Sequence, residues 1–193
     1  MTQVPVPEPP LCVDLDGTLI EGNTLRMSLR HLARRAPWTL LALPFLLLRG
    51  RPALKRYVAR RYVPDPASLV WREEVLAFLR EERGRGRQIF LATAADRLVG
   101  EAVVAYLGLF DGLVATDSGP NVKGKGKAIQ IRKSLNCNDF DYIGDSPADL
   151  PVFRVARVGY LVAPTRSLSD AARRVGRIAR EFHIDAAGNA PRR

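Results

Sequence analysis

Short apolar runs alternate along the chain with segments whose apolar residues recur every three or four positions. Runs this short are typical of strands that are buried on both faces of a sheet. Strands are predicted at residues 11–13, 88–92, 113–115, 140–143 and 158–162. Helices are predicted at residues 67–83, 96–107, 127–135, 148–155 and 169–182. This alternation favours an α/β fold, in which helices cover both faces of a parallel sheet.

A helical region, broken into short pieces by prolines, interrupts this alternation after the first strand. Within it, residues 26–61 contain ten Lys and Arg and no acidic residue, a sharp shift in composition. We therefore predict a small basic insertion in the core domain. The predicted division is a disordered lead (1–10), a core domain (11–22 and 84–182), a helical insertion (23–83) and a flexible tail (183–193).

The whole chain is basic, with 30 Lys and Arg against 20 Asp and Glu and a net charge of +10. Such a charge attracts phosphate-bearing substrates, acidic lipid surfaces or nucleic acid. Nucleic-acid binding is disfavoured because the few aromatic residues of the insertion form no stacking motif. The two cysteines lack metal-ligand spacing and the N-terminus lacks the pattern of a secretory signal, so we expect a cytoplasmic protein.

The longest apolar run, residues 38–48, contains Pro44 and falls short of the roughly 20 residues that span a bilayer. We expect these residues to pack the core of the insertion. The alternative is an interfacial element, whose apolar face enters the headgroup region of a membrane while nearby arginines meet anionic lipid.

Two aspartates directly follow the first predicted strand, in the sequence Asp14-Leu15-Asp16-Gly17-Thr18-Leu19. The carboxyl ends of parallel strands are where active sites lie in such sheets. Asp14 suits a nucleophile and Asp16 a neighbouring acid–base group.

Phosphate-binding groups are predicted at the same edge of the sheet. Thr93 and Ala94 follow the strand at residues 88–92 and offer a hydroxyl and backbone N–H groups to a phosphoryl oxygen. The sequence Lys123-Gly124-Lys125-Gly126-Lys127 offers a lysine that can balance negative charge.

A further acidic motif, Gly144-Asp145-Ser146-Pro147-Ala148-Asp149, follows the strand at residues 140–143. Asp145, opposite Asp14, completes an oxygen site of the kind that Mg²⁺ prefers. Asp149 lies one turn further and can orient a ligand or the lysine.

The order of these motifs resembles the haloacid dehalogenase-like hydrolase superfamily over residues 11–165. The helical insertion and residues 144–151 are similar to the subgroup that includes phosphoserine phosphatases. The resemblance implies a Rossmann-like three-layer core with a helical cap, and a Mg²⁺-dependent phosphatase. An aspartate at position 16 is typical of the phosphatases and mutases of the superfamily, and the mutases typically carry a different cap.

The resemblance also implies roles for individual residues. Asp14 would form an aspartyl-phosphate, and Asp16 would protonate the leaving oxygen and then deprotonate water. Mg²⁺ would lie between Asp14, the backbone carbonyl of Asp16, and Asp145. Thr93, Ala94 and one lysine would hold the phosphoryl group. Lys125 best fits the Lys-Gly-x-apolar-apolar helix start of phosphoserine phosphatases, with Lys123 and Lys127 as alternatives.

The substrate is less well indicated. Asn23 stands where phosphoserine phosphatases have a glutamate for the substrate amino group. Four stretches, residues 11–25, 40–55, 86–97 and 142–151, are more similar to the hydrolase domain that precedes polyprenyl-transferring membrane enzymes. That resemblance implies a sugar-phosphate or polyprenyl-linked phosphate as substrate, and peripheral contact with an anionic membrane or a prenyltransferase. The alternative function is a non-catalytic docking module that uses the basic cap.

Overall fold

The computed structural model describes residues 8–116 and 122–183, which form a six-stranded sheet covered by helices. The strands are β1 (Leu11–Val13), β2 (Ile89–Asp96), β3 (Gly112–Thr116), β4 (Asp141–Gly144), β5 (Val158–Val162) and β6 (Ile178–Phe182). Their order across the sheet is β3-β2-β1-β4-β5-β6, and each neighbouring pair is parallel. The predicted parallel α/β sheet is confirmed.

Helices lie on both faces of this sheet. They are α1 (Thr24–Arg35), α2 (Leu43–Leu48), α3 (Arg51–Ala59), α4 (Glu73–Gly84), α5 (Arg97–Leu107), α6 (Lys125–Leu135), α7 (Leu150–Phe153) and α8 (Arg166–Val175), with 3-10 turns at Pro37–Ala42, Pro66–Ser68 and Pro147–Asp149. Successive side chains of a strand point to opposite faces. Accordingly, Leu11 and Val13 pack in one buried cluster with α4 and α5, and Cys12 packs in another with α6 and α8.

The helical cap consists of α1, the turn Pro37–Ala42, α2 and α3. Its small core is built around Leu32, Leu54 and Val58. α4, which the predicted insertion includes up to residue 83, contributes Val75 and Leu76 to the cluster on the sheet. The domain boundaries themselves stay predictions, and the predicted lead and tail fall largely outside the described residues.

Residues 38–48 divide between two environments, so the expected packing in the cap core describes only part of the run. Three leucines pack against the cap core: Leu40, Leu43 and Leu46. Five large apolar side chains are instead exposed: Trp38 (68%), Leu41 (76%), Phe45 (72%), Leu47 (57%) and Leu48 (87%). No described helix is both long enough and apolar enough to cross a membrane.

The helix predicted over residues 169–182 is wrong in its second half. α8 ends at Val175, and residues 178–182 form the edge strand β6. Gly176 separates the two, in an extended conformation where a Cβ atom would lie 2.3 Å from the backbone oxygen of Phe153. Backbone pairing with β5 outweighs the helical periodicity of this segment.

Candidate active site

A cavity of about 850 Å³ lies between the cap and the carboxyl ends of the central strands. All four aspartates that were predicted to act together line this cavity: Asp14, Asp16, Asp145 and Asp149. The parallel pairing of β1 and β4 brings them to one edge, because the first two follow the end of β1 and the other two follow the end of β4.

Asp14 lies at the end of β1, where its backbone N–H donates to the carbonyl of Ile143 in β4 at 3.0 Å. Its side chain is 11% exposed. One carboxylate oxygen accepts the N–H of Leu15 at 2.8 Å, and the other lies 2.9 Å from Nζ of Lys127. Burial raises the pKa of Asp14 to about 7, although the ammonium group of Lys127 opposes the rise.

Lys127, in the first turn of α6, is the lysine that contacts Asp14. Its Nζ also lies 3.2 Å from Asp149 and donates to the hydroxyl of Tyr142 at 2.7 Å. Burial lowers its pKa, but Asp14 and Asp149 outweigh this effect and raise the pKa overall. Lys125, preferred from the sequence, is exposed, so the structure brings an alternative lysine into the site.

Asp149 is held from several sides. It accepts hydrogen bonds from the hydroxyl of Tyr142 at 2.8 Å and from the backbone N–H and hydroxyl of Ser146 at 3.2 and 2.9 Å. Burial raises its pKa, but Lys127 and these donors outweigh burial and lower it. The arrangement makes Asp149 a charged anchor for the ammonium group of Lys127.

Asp145 follows β4 and closes the acidic side of the cavity. One carboxylate oxygen accepts the hydroxyl of Thr18 at 2.9 Å. The other lies so close to Gly17 that a Cβ atom there would approach it to 2.1 Å, and Gly17 has φ of +85°. Only glycine suits both constraints. Burial, with repulsion from Asp149, raises the pKa of Asp145 to about 6.

Asp16 turns toward the cap. Its carboxylate accepts the backbone N–H of Thr24 at 2.7 Å, the hydroxyl of Thr24 at 3.3 Å and Nδ2 of Asn23 at 3.2 Å. Burial raises the pKa of Asp16, although the hydrogen bonds from Thr24 act in the opposite direction. Asp16 thus joins the first turn of α1 to the reactive edge of the core.

The two residues predicted to bind phosphate at β2 differ in access. Thr93 is fully buried, and its hydroxyl accepts the N–H of Ala95 at 3.0 Å. Ala94 lines the cavity, and its carbonyl accepts Nζ of Lys55 at 2.5 Å.

Sequence reasoning missed two residues of the site. Lys55, in α3, reaches from the cap to the core, but it is one of ten basic residues in that part of the chain and no motif marks it. Tyr142 precedes the Gly144–Asp149 motif by two positions within β4. Its apolar neighbours indicated a core residue, although its hydroxyl contacts both Lys127 and Asp149.

Comparison with known proteins was made by sequence and by structure. The family model described as haloacid dehalogenase-like hydrolase matches residues 11–154. The chain is 37% identical over 153 residues to the uncharacterized protein y4nM of Sinorhizobium fredii (strain NBRC 101917 / NGR234), covering 79% of this chain and 30% of that protein. The chain therefore spans less than a third of the length of this relative.

Two solved structures illustrate the similarity in fold. A protein of unknown function from Bordetella pertussis Tohama I has a TM-score of 0.63 at 16% identity, covering 90% of this chain and 98% of the other. Phosphoserine phosphatase in its apo form has a TM-score of 0.58 at 17% identity, covering 91% and 94%.

Proposed function

The chain belongs to the haloacid dehalogenase-like hydrolase family, and we propose that it is a Mg²⁺-dependent phosphatase that acts through a phosphorylated Asp14. One observation carries the proposal: buried Lys127 holds an oxygen of Asp14 at 2.9 Å, in a cavity that Asp16 also lines. A positioned carboxylate beside a second acid is what covalent phosphoryl transfer requires.

The reaction needs two steps at Asp14. First, a carboxylate oxygen of Asp14 attacks phosphorus, the bond from phosphorus to the ester oxygen breaks, and Asp16 gives its proton to the leaving oxygen. Water then attacks phosphorus, Asp16 takes a proton from that water, and Asp14 leaves as a carboxylate. Lys127 balances the negative charge on Asp14 and on the transferring oxygens in both steps. The raised pKa of Asp16 suits a group that must begin as an acid.

The carboxylates of the site fit a Mg²⁺ ion. Oxygens of Asp14, Asp145 and Asp149 lie within 4.8 Å of one another, and Mg²⁺ prefers such ligands. Asp149 accepts three hydrogen bonds from Tyr142 and Ser146 beside its ion pair with Lys127, whereas Asp145 accepts one, from Thr18. Asp14 and Asp145 would hold the ion, together with the backbone carbonyl of Asp16. When bound, the ion supplies positive charge that reduces repulsion between these carboxylates and an anionic substrate.

The test is phosphate release from a panel of sugar phosphates, phosphoserine, nucleotides and polyprenyl phosphates, with Mg²⁺ and with EDTA. Asp14→Asn should reduce turnover by on the order of 10⁴-fold or more. Asp170→Asn is the matched control, since Asp170 is exposed on α8. No release from any substrate by folded protein would refute the proposal. An effect of Asp14→Asn no larger than that of Asp170→Asn would refute the role of Asp14.

Phosphoserine is disfavoured as the substrate by the surroundings of Asn23. The side chain of Asn23 is uncharged, donates to Asp16 at 3.2 Å and accepts the backbone N–H of Arg26 at 3.1 Å. It offers no negative charge to a substrate ammonium group. A sugar phosphate or polyprenyl-linked phosphate is the finer proposal.

A specific observation supports the lipid-linked candidate and a peripheral membrane contact. The exposed side chains Trp38, Leu41, Phe45 and Leu48 lie on the cap, and Leu47, 57% exposed, lines the cavity. Leu47 belongs to the same helix, α2, as the exposed Phe45 and Leu48. Exposed apolar side chains that follow the exposed Arg34 and Arg35 closely in the chain suit an anionic lipid interface.

Sedimentation with vesicles tests this candidate. The protein should pellet with vesicles that contain phosphatidylglycerol, and Leu41→Ser/Phe45→Ser should pellet less. Val70→Ser/Ile129→Ser removes two exposed apolar side chains elsewhere and should match the wild type. Equal pelleting of all three proteins would contradict the lipid candidate. Vesicle binding without any phosphatase activity would instead indicate the docking module.

A further inference from the structure

The cap lines its side of the cavity with positive charge. Four cationic side chains do so: Arg26 and Arg30 of α1, and Arg51 and Lys55 of α3. The two cations of each helix are four residues apart and share a face, where like charges repel each other. All carboxylates among the described residues that line the cavity come from the core.

Several arginines elsewhere in the molecule have carboxylate partners. Arg56, next to these cations in α3, lies 3.2 Å from Asp96, and Arg72 lies 3.8 Å from Glu21. In contrast, no carboxylate of the described residues lies within ion-pair distance of Arg26, Arg30 or Arg51. The cavity therefore contains guanidinium groups that the protein itself does not neutralise.

Lys55 brings this charge next to the phosphate-binding edge. Its Nζ lies 2.5 Å from the carbonyl of Ala94, at the end of β2. Burial lowers the pKa of Lys55 to about 8, and repulsion from Lys123 and Arg51 contributes, while Asp16 opposes the fall. A bound anion would relieve this concentration of positive charge.

We propose that the preferred substrate carries a second anionic group, which Arg26, Arg30, Arg51 and Lys55 bind while the phosphoryl group lies at Asp14. The inference rests on the proposed function for the position of the reacting group. Phosphate, diphosphate and carboxylate groups share the required chemistry, because guanidinium groups bind all three through paired hydrogen bonds. A cavity of about 850 Å³ has room for a phosphomonoester with a substantial leaving group.

The experiment compares matched ligands that differ in one anionic group. Fructose 6-phosphate is compared with fructose 1,6-bisphosphate, and glycerol 3-phosphate with 3-phosphoglycerate. Dissociation constants are measured by calorimetry on Asp14→Asn with Mg²⁺, and kcat/KM on the wild type. At least one doubly anionic ligand should bind at least about tenfold more tightly than the matched ligand with one anionic group. A factor of this size is expected because the matched ligand lacks the hydrogen bonds of the second charged group.

Arg26→Gln/Arg30→Gln, introduced in both backgrounds, should bring that ratio toward one. Arg60→Gln/Arg154→Gln removes the same charge from exposed positions outside the cavity and should leave the ratio unchanged. Equal affinities within both ligand pairs, or an equal effect of the two double variants, would overturn the inference. Selective binding of a doubly anionic ligand without phosphate release would uphold the inference and refute the proposed function. Phosphate release without selectivity for doubly anionic ligands would support the proposed function and overturn the inference.

Discussion

Two buried ion clusters lie at opposite edges of the same sheet, and they differ in charge balance. At the amino ends of the strands, Arg87 contacts Glu82 at 2.6 Å and also contacts Asp141, the first residue of β4. Arg157 reaches the same Asp141 at 2.7 Å. Arg85 lies 2.9 Å from the other oxygen of Glu82, so each buried carboxylate of this amino-edge cluster has two guanidinium partners.

The carboxyl-edge cluster is unbalanced. Its four carboxylates are Asp14, Asp16, Asp145 and Asp149, and two of them, Asp14 and Asp149, contact the buried ammonium group of Lys127. Burial raises the pKa of three of them. A folded protein keeps such an excess of negative charge where it serves chemistry. The comparison indicates that the amino-edge cluster maintains the fold, while the carboxyl-edge cluster has an excess of negative charge that the proposed Mg²⁺ ion would reduce.

The largest expected effect comes from removing the ammonium group of the carboxyl-edge cluster. Lys127→Met should reduce kcat by about 10²–10³-fold, since it removes a positive charge from the transferring phosphoryl group. It should also destabilise the fold by about 3–5 kcal/mol, because Asp14 and Asp149 lose a buried partner. Phosphate release and urea unfolding measure the two effects.

Lys125→Met is the control, two residues earlier in α6, where the side chain is exposed. It should change stability by less than about 0.5 kcal/mol and leave kcat near the wild-type value. If Lys125→Met were the more damaging variant, the assignment of the lysine would be reversed.

Breaking the amino-edge cluster should separate stability from activity. Arg87→Met removes the buried partner that Glu82 and Asp141 share and leaves each with one more exposed partner, Arg85 or Arg157. It should cost about 2–4 kcal/mol in the free energy of unfolding. At a temperature where the variant remains folded, kcat and the Mg²⁺ dependence should be unchanged, because Arg87 lies at the far edge of the sheet. Urea unfolding and steady-state kinetics test both statements. A selective loss of kcat in folded Arg87→Met would show that the two clusters are coupled.

The charge excess at the carboxyl edge predicts a pH dependence in metal-free protein. The pKa values of Asp145 and Asp14 are raised from 3.8 to about 6 and about 7, so the folded state binds these protons more tightly than the unfolded state. The stability they contribute is present below about pH 4 and is lost as pH rises toward 7, by several kcal/mol.

Urea unfolding in EDTA at pH 4.5, 6 and 7.5 measures this loss. The lowered pKa of Asp149 acts in the opposite direction only in more acid solution, below its ordinary value of 3.8. Added Mg²⁺ binds the ionised carboxylates and should restore stability at pH 7.5. Stability that rises steadily with pH in EDTA would contradict the charge excess.

The central strands and the aspartates of the carboxyl-edge cluster could be predicted from the sequence, because strand patterns and motifs are local features of the chain. The strand at residues 158–162 has its predicted bounds. The aspartates were placed at one edge because each follows a strand. The amino-edge cluster gave no comparable signal, since Arg87 and Asp141 are 54 positions apart and no motif joins them.

The choice of lysine depended on where a helix begins. Positions 125 and 127 differ by about 200° around a helix axis, so one faces the cavity when the other faces solvent. α6 begins at Lys125 and thereby turns Lys127 inward. A sequence in which three lysines alternate with glycine does not show where the helix begins, and so does not show which lysine faces the cavity. β6 was not predicted because its strand conformation also depends on contacts distant in the chain, namely pairing with β5.

The smallest expected effect comes from a substitution in the amino-edge cluster. It tests whether Asp141 needs both of its guanidinium partners. Arg157 contacts both oxygens of Asp141, at 3.0 and 2.7 Å, but its side chain is 45% exposed. Arg157→Gln leaves Asp141 paired with Arg87, so the free energy of unfolding should fall by no more than about 1 kcal/mol. Urea unfolding at low and high salt measures the loss, which should shrink as salt screens the exposed pair. A loss as large as that of Arg87→Met would mean that Asp141 requires two cations, and that charge balance, more than burial of one partner, stabilises this edge of the sheet.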